Sequence, residues 1–105
     1  MSHQPLTPAV FHILLALADG PLHGYAIMQA AEASSGAPMG PGTIYGTLER
    51  LEAHGFVKEV PAARGDRRRT FALQPAGRAA LQDEARRLSR LAALVRARRL
   101  LPRET

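Results

Sequence analysis

The chain has 105 residues, nearly half of them apolar (46%), which suits one domain with its own core. Cysteine is absent, which excludes a disulfide framework, a zinc–thiolate site and a cysteine nucleophile and fits a reducing cytoplasmic setting. The formal net charge of +5 is lopsided: residues 1–56 hold one basic residue, Arg50, and four acidic ones, while residues 57–105 hold the other 13 Lys and Arg and five acidic residues.

Thr7-Pro8 reads as a helix start, because Thr can cap free N–H groups and Pro fits the first helical position. Val10, Ile13, Leu14 and Leu17 follow at helical spacing, and Gly20-Pro21 ends the pattern. A second helix runs from His23 or Gly24 to Ala33 with Ile27 and Ala31 inward, and its start shows no good side-chain cap. Residues 34–40 are a connector that could hold a short extended piece at 37–39. A third helix begins at Pro41, closes at Gly55 and carries one apolar stripe of Ile44, Leu48 and Leu51. Strands are expected over 56–60 and 68–73, paired as a hairpin around a loop at 61–67. A long last helix then runs from Pro75 to about Leu100, with a frayed tail at 102–105. No stretch approaches the ~18 apolar residues of a membrane span, and the first eight residues lack the pattern of a signal peptide.

This order predicts a mainly α fold with a small β-hairpin: a winged helix-turn-helix over residues 1–74 and a dimerisation helix over 75–101. With its stripe buried, the third helix has a face free to enter a DNA major groove, which admits one helix. Gly46 and Thr47 are small enough for close approach, Thr43 and Thr47 add hydroxyls, and Arg50 can reach guanine or phosphate. Gly42 leaves N–H groups open to a phosphate at the helix start, and Tyr45 offers a hydroxyl to another. In the hairpin loop, Arg64, Arg67 and Arg68 surround a Gly-Asp turn and suit a wing on the DNA backbone or minor groove. Arg69 shares a strand face with Phe71 and Leu73 and reads as structural. The connector is longer than a simple helix-turn-helix allows and suits a winged variant, in which a short strand before the third helix joins the hairpin.

The segments "LHGYAI" (22–27), "GPGTIYGTLERLEAHGFV" (40–57) and "RRRTFALQPAGRAAL" (67–81) together resemble the PadR family of bacterial transcriptional regulators. The resemblance covers roughly residues 6–81, and the following helix has the length of the short PadR type. It implies a homodimeric DNA-binding regulator, usually a repressor, with Tyr25, Thr43, Tyr45 and Arg50 on motif positions near DNA and the wing arginines near the backbone. Two residues depart from the family pattern. Gln74 stands where Thr is frequent, which weakens that helix start by about 1 kcal/mol, and Gly40 where Ser is common, so both helix starts are less sharply fixed.

On the last helix, Leu81, Leu88, Leu91 and Val95 recur at steps of seven, three and four, with Ala85 and Ala92 filling the stripe. A second copy is the simplest cover, antiparallel and helped by the first helix near Phe11. Arg86, Arg87, Arg90, Arg96, Arg98 and Arg99 occupy the other faces, and the adjacent pair Asp83-Glu84 reads as a solvated face. His3, His12, His23 and His54 are scattered, so no metal is expected, and no cofactor or catalytic constellation is visible. The resulting expectation is a regulator, not an enzyme, whose homodimer occludes a promoter at a palindromic operator. The alternatives are a winged-helix protein-interaction module, which would carry an apolar patch on the third helix, or a MarR-like regulator. The sequence identifies no inducer; an apolar site between the last helices of a dimer is the place left open for one.

Overall fold

Thr7 and Pro8 start the first helix as their chemistry predicts: Thr7 Oγ1 accepts the Val10 N–H at 3.3 Å, and Pro8 opens the helix. In the computed structural model, which describes residues 5–102, the elements are α1 (Pro8–Ala16), β1 (Leu22–His23), α2 (Gly24–Ser35), α3 (Pro41–Ala53), β2 (Val57–Val60), β3 (Thr70–Leu73) and α4 (Pro75–Ala97). His3 and residues 103–105 of the tail expected to fray lie outside the described residues. α1 stops four residues before Gly20, and turns carry the chain to β1.

Two expectations need correction. The start of α2 is capped after all: His23 Nδ1 accepts the Ala26 N–H at 3.2 Å. The additional strand precedes α2 rather than α3. Leu22 and His23 pair antiparallel with Phe71 and Thr70, giving a three-stranded sheet of order β1-β3-β2 in place of an isolated hairpin. The segment 37–39 forms no strand because its polar groups are used locally. Ser35 Oγ exchanges hydrogen bonds with Ala37, and the Met39 N–H donates to Glu32 Oε2 at 2.6 Å.

β2 pairs with β3 antiparallel, from Val57 opposite Leu73 to Val60 opposite Thr70. One core joins the helices to this sheet: Ile13, Leu14 and Leu17, Ile27 and Ala31, Ile44, Leu48 and Leu51, and Val57, Phe71 and Leu81. It fixes α3 with its Ile44/Leu48/Leu51 side inward and the wing alongside. α4 enters at Gly77, where a Cβ would collide with the Phe56 carbonyl oxygen, so glycine permits the close approach. The Gln74 side chain makes no capping bond; the Gln74 backbone N–H donates to that same carbonyl at 2.9 Å.

Candidate nucleic-acid interface

The outward side of α3 is defined by what is missing from it. Gly40 supplies no side-chain cap, Pro41 has no N–H, and the N–H groups of Gly42 and Thr43 stay open at the positive end of the helix. Gly42 and Thr43 are exposed and Gly46 half-exposed, so the backbone itself is accessible along this side.

Two expected readers are placed differently. Thr47 is 1% exposed, on the flank of the buried stripe, and does not reach the outward face. Its Oγ1 instead accepts from Arg50 Nη2 at 3.1 Å. Arg50 is exposed but turned along the helix flank, where it and Thr47 line a cavity of about 340 Å³ between residues 5–7, α1 and the C-terminal half of α3. The reason is local geometry: three residues apart on a helix, the threonine hydroxyl is within reach of the guanidinium.

The two tyrosines separate. Tyr25 is 58% exposed on the first turn of α2 and makes no hydrogen bond to another described residue. The Tyr45 ring packs inward, edge-on to Phe71 with 6.5 Å between centroids and directly over Gly24, where a Cβ would strike it. Its hydroxyl bonds nothing in the described chain, yet no buried side-chain polar atom there is unpaired, so that oxygen reaches solvent. Gly24, Tyr25, Pro41 and Tyr45 line one small cavity, which brings the starts of α2 and α3 together.

In the wing, Gly65 takes φ +84°, and Asp66 Oδ1 accepts the Arg68 N–H at 2.9 Å, the side-chain turn expected of a Gly-Asp pair. Arg68 is tied back rather than projecting freely. Its Nη2 lies 2.7 Å from Asp66 Oδ2, and its Nη1 lies 2.9 Å from His23 Nε2. A neutral imidazole has one acceptor nitrogen, so the α2 cap and the Arg68 contact draw on alternative tautomers of His23. The Arg68 hydrogen bonds hold the Asp66 carboxyl well below the usual carboxylate range. Arg69 is structural: it donates to Glu59 Oε1 through Nε and Nη2 and lies over the Phe71 ring (5.2 Å) and the Tyr45 ring (5.7 Å). Arg64 and Arg67 are exposed and have no hydrogen-bond or ion-pair partner among the described residues, so they are the open cations of the wing loop.

On α4, the stripe divides. Leu81 belongs to the core at 7% exposure, which removes it from the expected dimerisation surface. Ala85 is exposed, Ala92 and Val95 are half-buried, and Leu88 and Leu91 are 38% and 42% exposed. Beyond Glu84 no described residue of α4 is buried. Phe11 is half-buried on α1 and lines a groove with Leu88. The Asp83-Glu84 pair is not a solvated face. Asp83 pairs with Arg86, while Glu84 is 5% exposed and accepts from Arg87 Nε (2.6 Å), Arg87 Nη2 (2.9 Å) and the Leu6 N–H (3.1 Å). The signal for this burial is in the sequence: Glu84 sits three residues after Leu81 and four before Leu88, on the same stripe.

Among the described residues no cluster of metal-ligating side chains occurs, and no helix is long and apolar enough to cross a membrane. The chain is 52% identical over 83 residues to an uncharacterised 37.1 kDa protein of transposon Tn4556 from Streptomyces fradiae; the match covers 79% of this chain and 24% of that protein, about a quarter of its length. It is 44% identical over 82 residues to transcriptional regulator Rv3488 of Mycobacterium tuberculosis, covering 77% of this chain and 76% of the relative. The fold matches Bacillus subtilis PadR, solved in complex with operator DNA, with a TM-score of 0.65 and 25% identity over 76% of this chain and 46% of that one. The family model of PadR-like transcriptional regulators, which are not enzymes, matches residues 13–83, more than half of the chain. With the winged-helix fold and these sequence matches in agreement, the chain belongs to the PadR-like family of transcriptional regulators.

Proposed function

We propose that the chain is a sequence-specific DNA-binding regulator, a cytoplasmic repressor that occupies a palindromic operator as a homodimer and occludes a promoter. The observation that carries the DNA reading is the uncapped, thinly covered outward side of α3 beside the unpaired Arg64 and Arg67 of the wing. Such a surface admits a phosphate at the helix start, a groove edge along the helix and backbone contacts from the wing. The Tyr25 and Tyr45 hydroxyls add phosphate donors at the same end. Arg50 takes part by leaving Thr47, to which a single part-buried hydrogen bond holds it. That the Bacillus subtilis relative was solved in complex with operator DNA supports the DNA reading.

The homodimer reading rests on α4, whose exposed Leu88, Leu91 and Leu94 have no cover in one chain. Two-fold symmetry would place the recognition helices about 34 Å apart on one face of the DNA. An inducer, where one acts, would change that spacing. A protein-interaction module is disfavoured because no large exposed hydrophobic residue among the described residues lies on α3 or the wing. Selection of bound duplexes from a random pool tests the proposal. Enrichment of a palindrome with half-sites one turn apart is expected, and a pool that stays random would refute it.

A further inference from the structure

The geometry points to Glu49 as a base-selecting residue of α3, one that accepts the amino group of a cytosine in the major groove and rejects other bases by repulsion. The inference rests on the DNA-binding reading above and adds a specificity determinant to it.

Gly42, Gly46, Glu49 and Ala53 follow one another at steps of four, three and four, the line opposite the Ile44/Leu48/Leu51 stripe. Three of these four have no functional group. Thr47 is buried, and the Arg50 guanidinium is held on the flank by Thr47 Oγ1. Glu49 is therefore the one long side chain at the middle of the outward face, and it is exposed. Neighbouring carboxylates are engaged: Glu52 Oε2 accepts the Glu59 N–H at 3.2 Å, and Glu59 accepts from Arg69. Glu49 accepts from no described residue. Arg69 senses its charge only after those of Glu59 and Glu52.

An anion at the centre of a DNA-reading surface opposes contact with phosphate, so its place in a complex is against a base edge. An ionised carboxylate only accepts hydrogen bonds. In the major groove, guanine offers two acceptors, thymine an acceptor and a methyl, and adenine a donor beside an acceptor. Cytosine alone offers an amino donor with no acceptor next to it on the same base. Glu49 thus rewards one base and penalises three, and its charge weakens binding to any duplex held by the backbone alone. The small residues around it allow the helix to come close enough for this short contact.

The test compares the full-length wild type with Glu49→Gln and Glu49→Ala by selection from random duplex DNA. Competition at fixed salt between the best site and its single-base variants then gives the penalty at each position. In the wild type, one position in each half-site should be cytosine, with a penalty of roughly tenfold or more for any other base. Glu49→Ala should reduce that penalty to under about threefold while the other positions keep theirs. Glu49→Gln should shift the position toward adenine, whose donor–acceptor pair glutamine matches. Both variants should bind random-sequence DNA more tightly, and their melting curves should match the wild type, because Glu49 is exposed and bonds nothing. Variants that keep the wild-type preference at every position and change only overall affinity would overturn the inference and leave the DNA-binding reading intact. A wild type that enriches no sequence would overturn both.

Discussion

At the scale of single residues, Glu84 is the side chain whose environment departs furthest from its sequence appearance. It is a nearly buried carboxylate on α4 held by Arg87 and by the backbone of residue 6, so it ties the segment before α1 to the last helix. Its pKa lies below the ordinary value of 4.5, chiefly because of the Arg87 hydrogen bonds, which outweigh the opposing effect of burial. A depressed folded-state pKa means that the contribution to stability is fully present above pH 4.5. It is lost as pH falls through the lower folded value. Glu84→Gln should therefore lower the melting temperature by several degrees at pH 7, and its stability should fall less steeply than the wild type's below about pH 4.5. Melting curves between pH 7 and pH 3 check this; parallel curves would show that proton binding at Glu84 is not linked to folding.

At the scale of elements, the wing separates into cations that hold it and cations that it presents. Arg69 clamps β3 to Glu59 and stacks on two rings, and Arg68 closes the Asp66 turn. Arg64 and Arg67 are left for an external anion. Each lost phosphate contact lowers the slope of log affinity against log salt by about 0.9. The double change Arg64→Ala with Arg67→Ala should weaken operator and random DNA alike and reduce the slope by about two. Arg68→Ala should alter it by less than one, since Asp66 already neutralises that guanidinium. Anisotropy titrations over a range of salt concentrations give the slopes. A double variant with the wild-type slope would place the wing away from DNA.

At the scale of the whole molecule, α4 runs well past the core that it helps to close. Its 23 residues span about 35 Å at 1.5 Å each, and the buried ones all fall between Gly77 and Glu84. Leu88, Leu91 and Leu94 beyond that point carry exposed apolar surface at helical spacing, which a second copy would remove from water. Leu88→Glu with Leu91→Glu leaves the core of one chain untouched. Sedimentation should then find a folded monomer that binds half-sites weakly and loses most of its affinity for a full operator. A double mutant that sediments as a dimer with undiminished operator affinity would put the subunit contact on another surface.

The sequence by itself determined the order of the four helices and the hairpin, the inward faces of α1, α2 and α3, the helix ends at Thr7 and Gly55 and the turn at Gly65, because these depend on short-range chemistry and on helical period. The winged-helix class and the family were legible for the same reason: the motifs "LHGYAI" and "GPGTIYGTLERLEAHGFV" are contiguous. Only the tertiary structure decided which polar residues of α3 face out. Thr47 and Thr43 are chemically alike, yet Thr47 is sealed against the core and Thr43 is exposed, a difference of position about the helix axis relative to its neighbours. The same holds for β1, whose two residues become a strand only because β3 offers a free edge beside them. It holds also for the wing, where carboxylates distant from or adjacent to each arginine select which guanidiniums are spent inside the fold. Pairing across the chain depends on distances that local sequence does not encode, so the choice of Arg64 and Arg67 as open cations, and of the Leu6 N–H as a partner for Glu84, came from packing.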